Sequence, residues 1–536
     1  MPLDTASSLQ QSGTVCFDPA RMRFGAEGLE PFWWPVAPGE LVAFRDHLHE
    51  RLAALARAAA PRDGHYLRIA MPGLLYRAMA LFEAAAVAER AAACGIRPET
   101  QSAGVSLRPL LQGEALSDEP MDPRRRMHRL FVPEPIWRGA VRVLRNRLVG
   151  GTIPRRRLFE IDPRRGVVTA SLNRSIERLA AAEAGPVTYC HPRAWFSTIA
   201  PDDGPGCDGA LREAVVEAVT EAAAARALSL PAQVTDHLDG YVAAFTALAR
   251  HHVERLLAKP RRLPRRLWVG SGVSIWARTL IAAVQLNGGE ASGFEHGTGE
   301  SWAERCGDTC FEFDQLDRFV CFTEETARRS AAQQETVPLA RDARCSLLAL
   351  PVADRRAPAP MAGGLPARPR VLVVAAPYRQ DRVMRYKSLL GDPVVADWQA
   401  RLFGRLRAWG YEPLYRPHPE QREAPPDFAG ALAVPAVGGS FAAALEAADI
   451  LLFDISLTSA WRDALRAGKP VVLVDFGQSS LSADARGLAE RRMAIVEGGF
   501  DSRNRIALDW EALRAALERA PGLDDPSFVS QYFGHA

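Results

Sequence analysis

Several things are scarce in this sequence, and each scarcity excludes something. Eight cysteines in 536 residues, scattered along the chain, do not make a disulfide-stapled scaffold and fit reduced thiols. No uninterrupted apolar run approaches the ~20 residues that a membrane-spanning helix needs. The opening stretch MPLDTASSLQQSGTVCFDP has neither a basic region nor an apolar core, so a secretory signal is not expected and the expected location is cytoplasmic. Charge of one sign is lacking too: 66 basic residues against 63 acidic ones leave a net +3, too little for a whole-molecule electrostatic argument. There is no GxGxxG fingerprint and no GxxxxGK[ST] loop, which removes the main warrant for a dinucleotide enzyme or an ATPase. No DxD stands in a loop after a strand. Cys306 and Cys310 lie near His296 and Cys321, but the CxxC knuckle of a zinc site is missing, and no metal is expected.

What is present is an α/β rhythm. The length calls for two or more domains. Leu41–Ala60 has helical spacing, and the aromatic cluster Pro31–Pro35 is expected to pack against a domain. His65–Met71 reads as a first strand, followed by an Ala-rich helix over Leu74–Cys94 that Gly95 ends. Short strands are expected at Gly166–Ala170, Val187–Cys190, Leu267–Val269, Glu290–Phe294 and Arg318–Phe322. Between them, Asp208–Ala258 reads as a helical insertion. Residues 351–369, rich in Pro, Ala, Gly and Arg, form the linker. A second series follows, with strands at Arg370–Ala375, Glu412–Tyr415, Ile450–Phe453 and Pro470–Val474. The expected division is therefore residues 1–350, with the insertion at about 208–258, the linker, and residues 370–536.

Three polar clusters sit where strands end, the edge at which open α/β sheets bind ligands. In DISLTS, Asp454, Ser456, Thr458 and Ser459 precede a short helix. Hydroxyls and free N–H groups there suit a phosphate, and suit an ordinary N-cap equally well. In RPHPE, Pro417 and Pro419 restrict the backbone on either side of His418. With Arg416 beside it, its imidazolium could bind a diphosphate or protonate a leaving phosphate, and Glu420 closes the cluster; the plain alternative is a loop histidine. In EHGTGE, Glu295 or His296 could deprotonate an acceptor hydroxyl. The glycines Gly297 and Gly299 permit close backbone approach, and the plain alternative is a tight Gly-rich turn in which His296 has a structural hydrogen bond.

These motifs, in this order, resemble a group of GT-B glycosyltransferases and their relatives. The group includes CDP-glycerol glycerophosphotransferases, bacterial sialyl- and polysialyltransferases, and capsule β-Kdo transferases. His296–Gly297–Thr298 is similar to the HGT of the glycerophosphotransferases. Arg416–Pro417–His418–Pro419 resembles the shared HP motif, and Asp454, Ser456, Thr458 and Ser459 resemble the element that meets the donor phosphates. Ala464–Pro470 is like the segment after it. The resemblance covers roughly the last half of the chain; residues 1–260 match nothing in it. It departs in three places: DISLTS is spaced differently from DYSS, Gly299–Glu300 follows the HGT, and Glu295–His296–Gly297 matches the sialyltransferase acidic motif only in part.

The resemblance implies an α/β, GT-B-like fold: two Rossmann-like domains facing across a cleft, with a helical insertion in the N-terminal one. It also implies transfer of a sugar from a CMP- or CDP-linked donor to a bacterial surface glycan or its precursor, capsule or lipopolysaccharide, without metal or resident cofactor. In that reading Glu295, His296 and His418 are catalytic. Gly297, Thr298, Arg416, Glu420, Asp454, Ser456, Thr458 and Ser459 hold the donor. The alternatives are a polyol-phosphate transferase on the same scaffold and a non-catalytic member of a glycan assembly complex. The expected partners are a nucleotide-sugar donor and a glycan or glycolipid acceptor. Arg-rich stretches at 124–157 are candidates for peripheral contact with the inner membrane. Nucleic acid is not expected, because no aromatics interleave with those arginines.

Overall fold

The computed structural model describes residues 14–16, 21–25, 28–99, 107–117, 153–196, 207–295, 300–305, 309–350, 365–375, 378, 389–418, 427–455, 458–478 and 480–534. Two six-stranded sheets carry the fold. The first contains β1 (Val167–Thr169), β2 (Val187–Tyr189), β3 (Arg266–Trp268), β4 (Glu290–Phe294), β5 (Arg318–Cys321) and β6 (Ser346–Ala349). Its order is β2-β1-β3-β4-β5-β6, and every neighbouring pair is parallel. The second contains β7 (Arg370–Val374), β8 (Glu412–Arg416), β9 (Ile450–Phe453), β10 (Val471–Asp475), β11 (Ala494–Phe500) and β12 (Ile506–Leu508). Its order, β8-β7-β9-β10-β11-β12, repeats that of the first, with only the last pair antiparallel. Two Rossmann-like halves are therefore present. In each, the strand order reverses beside the first strand, and there a crevice opens at the C-terminal edge. Every residue of β9 and β10 is buried, as expected of central parallel strands covered on both faces.

The first half differs from its sequence reading at the start. His65–Met71 is not a strand, and no βα unit begins there. It lies inside one 34-residue helix, Pro61–Cys94, that runs through Pro72 and ends on Gly95 at φ +66°. From Ile69 to Val87 every residue of that helix is buried. With no exposed polar face there is no 3.6-residue periodicity to read, and a short apolar run is then indistinguishable from a buried strand. Among the described residues this is the one helix long and apolar enough to cross a membrane, and its apolar stretch is enclosed by the fold.

Five helices organise this half: α1 (Pro38–Ala58), α2 (Pro61–Cys94), α3 (Gly209–Ala224), α4 (Ala232–Leu257) and α5 (Ile275–Leu286). The stretch at 208–258 supplies α3 and α4, which pack on α1 and α2. Helix α5 fills the space between α2, α4 and β4. Leu48, Leu52, Leu67, Phe82 and Leu280 are fully buried in this layer. At about 1.5–3 kcal/mol for each such side chain, apolar burial outweighs the exposed Arg51–Glu221 and Arg62–Glu254 pairs at its rim.

The boundary at 351–369 is crossed from both sides. Helix α6 (Glu324–Thr336) belongs to the first half, and residues 28–36, ahead of α1, pack on the second half against α7 (Asp392–Ala408). Leu29 N donates to Asp397 Oδ1 at 3.0 Å, and Phe24 packs on Phe428 with ring centroids 5.5 Å apart. Arg505 bridges Asp397 and Glu30 and lies 4.9 Å over the Phe32 ring. Gly391 lies so close beneath the Trp34 indole that a Cβ there would collide with it. In the other direction, Trp302 is fully buried in the second half's core, 5.3 Å from Trp461 and 4.9 Å from Phe533. Phe533 belongs to α9 (Ser527–Phe533), which follows α8 (Ser459–Arg466) and also accepts a hydrogen bond at Gln531 O from Thr323 Oγ1, 2.7 Å.

Candidate active site

The second sheet places three expected site residues along one edge. Val374 at the end of β7 is in register with Arg416 on β8 and with Phe453 on β9. His418 lies two residues beyond that row, and Asp454 one residue beyond it. β7 and β9 are the strands between which the order reverses, so Asp454 stands at the crevice. Thr458 caps α8, its hydroxyl accepting from Ala460 N at 3.2 Å. The cap reading of DISLTS therefore holds for Thr458, and α8 presents its N-terminus at the edge where Asp454 lies.

Asp454 is buried, and its carboxylate is held from below. Gln399 Nε2 donates to Asp454 Oδ2 at 3.1 Å, and Tyr378 donates its hydroxyl proton to Gln399 Oε1 at 2.6 Å. Tyr415 completes the group from β8, with a buried hydroxyl that finds no partner among the described residues. Burial, and then the neighbouring Asp454 charge, push the Tyr415 phenol above its ordinary range. Burial does the same to Tyr378. Neither Gln399 nor Tyr378 was singled out from the sequence. A polar Gln399 among the buried residues Val394–Ala400 of α7 was the available signal.

Arg416 is tied to the backbone beside it: its guanidinium donates to Val437 O at 3.1 Å and Gly439 O at 3.0 Å, and it lies 5.6 Å over the Phe441 ring. These bonds hold residues 437–439 against the end of β8 and leave other N–H groups of its five for a ligand. Lys469, in the GKP that follows α8, is buried with Nζ on Ala448 O at 2.8 Å, another backbone tie.

On the first half, Glu295 follows β4 and is 6% exposed. Its carboxylate accepts from Ser301 Oγ at 2.6 Å and Phe322 N at 2.8 Å. Burial raises its pKa, while Ser301, Phe322, Thr326 and the charge of Arg462 oppose the rise. Glu295 thus ties Ser301 to the end of β5, and each oxygen, with one hydrogen bond, keeps further capacity to accept. Arg462 of α8 lies 5.4 Å over the Phe322 ring, so the strand ends of the first sheet meet α8 of the second. His296, Gly297, Thr298, Glu420 and Ser456, with the side chain of Ser459, lie outside the described residues. So do the arginines at 124–126 and 142–147. Arg155 packs on Tyr189 at 5.5 Å.

No family model matches the sequence, and no curated protein matches it at a significant level. One solved structure it is similar to is the apo form of a lipopolysaccharide outer core galactosyltransferase, WaaB. The identity is 12% and the TM-score 0.28, covering 54% of this chain and 76% of that chain. At that distance the function has to be argued from the chemistry of the strand-end edge.

Proposed function

We propose that the chain is a glycosyltransferase that moves a sugar from a nucleotide-linked donor to a glycan acceptor. One observation carries this reading: Asp454, fixed from below by Gln399, stands at the strand-order reversal beside the N-terminus of α8. A helix N-terminus offers free N–H groups and positive potential to a phosphate. A buried, oriented carboxylate beside it accepts hydrogen bonds from the hydroxyls of the same ligand. The α8 N-terminus and His418 would meet the departing phosphate, and Ser456 and Ser459 would add hydroxyls to it. The acceptor oxygen would attack the anomeric carbon as the phosphate leaves, with His296 taking the acceptor's proton. Donors aimed at the charge that develops on the phosphate supply the stabilisation, and no metal enters the scheme.

The resemblance of the RPHP and DISLTS segments points to a cytidine nucleotide. A thermal-shift panel of CMP, CDP, UDP, GDP and ADP tests this, since a ligand held only by the folded state stabilises it by about 2.7 kcal/mol at a hundred times its Kd. A cytidine nucleotide is expected to raise the melting temperature most. No shift with any nucleotide sinks the enzyme reading and favours a non-catalytic assembly protein. Turnover of CDP-glycerol in place of a nucleotide sugar favours the polyol-phosphate alternative.

A further inference from the structure

A cavity of about 1170 Å³ lies between the halves, walled by α1, the end of α6, residues 304–305 and the loop after β10. None of Arg416, His418, Asp454 or Thr458 lines it, although its Phe476–Gln478 wall follows β10 on the same edge of the second sheet. We propose that it is a second binding site, for a neutral oligosaccharide. In the glycosyltransferase reading, on which this identification of the ligand rests, the occupant is the part of the acceptor glycan away from its reacting end.

Three observations select that class. First, the walls carry three arginines and four carboxylates, and these largely cancel: Asp46 pairs with Arg45 at 2.6 Å and with Arg305 at 3.0 Å. A site for a phosphate polymer needs an excess of positive charge, which these walls lack. A ligand of many hydroxyls needs donors and acceptors in alternation, which they have. Second, a polar atom here lacks a protein partner. Gln478 Oε1 accepts from Leu389 N at 3.0 Å, but its buried Nε2 has no acceptor among the described residues. Buried polar atoms left without partners are uncommon in folded proteins and are satisfied when a polar ligand arrives. Third, half-buried Phe500 brings a ring to the wall, against which the C–H face of a sugar packs. The volume exceeds the range of about 300–1,000 Å³ typical of a site for one drug-sized ligand, so the occupant is more than one sugar unit.

The experiment is a glycan array carrying neutral and acidic oligosaccharides, probed with the labelled full chain, with calorimetry on the saccharides that bind. Neutral oligosaccharides are expected to bind. Gln478→Ala is expected to weaken them at least tenfold, and Ala43→Trp, which fills the cavity from α1, to abolish binding. Both variants should keep the thermal shift with nucleotide, which reports that they fold and that the strand-end site is intact. Binding of acidic glycans alone overturns the proposal. So does binding of none, or binding of neutral glycans that neither variant changes. Should nucleotides fail to shift the protein while neutral glycans still bind at this cavity, the transferase reading falls and the saccharide site stands.

Discussion

Gln399 Nε2 stands 3.1 Å from Asp454 Oδ2, joining a helix residue to a strand-end carboxylate 55 positions later in the chain. Both are buried, and the amide is a donor that helps keep this carboxylate at the strand-end edge in one orientation. Gln399→Leu is expected to cost about 1–3 kcal/mol, the penalty of a buried carboxylate losing a donor. It should also weaken the nucleotide-induced thermal shift. Tyr378→Phe, one bond further away, should cost less. Denaturant midpoints and nucleotide titrations check both, and a Gln399→Leu protein with wild-type nucleotide affinity removes Asp454 from the donor site.

His418→Ala is expected to abolish turnover and to raise the nucleotide Kd without lowering the melting temperature of the unliganded protein appreciably. The ring follows β8 at the strand-end row and is only half buried. An unchanged turnover number in that variant takes His418 out of the mechanism.

Trp302→Ala should be among the most damaging single changes in the molecule. The indole belongs to the first half but is buried among Trp461 and Phe533 of the second. Phe or Trp to Ala in a core costs about 3–5 kcal/mol. Because the lost contacts join the halves, urea unfolding followed by tryptophan fluorescence should separate into two transitions. A single transition at the wild-type midpoint contradicts this.

Asp397→Ala removes the fully buried carboxylate shared by Arg401, Arg505 and the Leu29 amide. Arg401 then loses its carboxylate and Arg505 keeps only Glu30, and removing one partner of a largely buried ion pair costs up to about 3–5 kcal/mol. Residues 21–36 should then become the first target of limited proteolysis, which mass spectrometry of early fragments would detect.

Two histidines make stability depend on pH. Burial, aided by Arg68 and Arg341, lowers the pKa of His65 to about 3, and its Nδ1 accepts from Arg68 at 2.8 Å. Burial, then His251 and Arg255, lowers that of His252 to about 4. Each is therefore neutral in the folded state, while the unfolded chain gains the proton near pH 6.5. Their contribution is present above pH 6.5 and is lost as pH falls toward 4, with a slope approaching about 1.4 kcal/mol per unit for each ring. His252→Gln should flatten unfolding free energies measured between pH 7 and 4.5. An unchanged slope contradicts the assignment.

The second sheet was the more legible half because its central strands are buried on both faces. Ile450–Phe453 and Val471–Val474 therefore show as bare apolar runs between turns. β11 was not read, since Glu497 and the Gly498–Gly499 pair interrupt its pattern. In the first half, burial of α2 on all sides erased the periodicity that would have marked His65–Met71 as helix. Asp454 and Thr458 were legible by their place after a strand. The contacts of Arg416 and Glu295 were not, because they come from other segments of the chain: the carbonyls at 437–439 for one, Ser301 and, 27 positions on, Phe322 for the other. Gln399 escaped notice for the same reason.

The crossing of residues 21–36 onto the second sheet, and of Trp302 into its core, sets how the chain can be divided. Cut between residues 350 and 365, the protein yields one fragment with a bare aromatic strap and another with an open socket. Neither fragment has its full core, so each alone is a candidate for aggregation. Produced together, the two have the complementary surfaces for reassembly without a peptide bond between them, as in a split reporter.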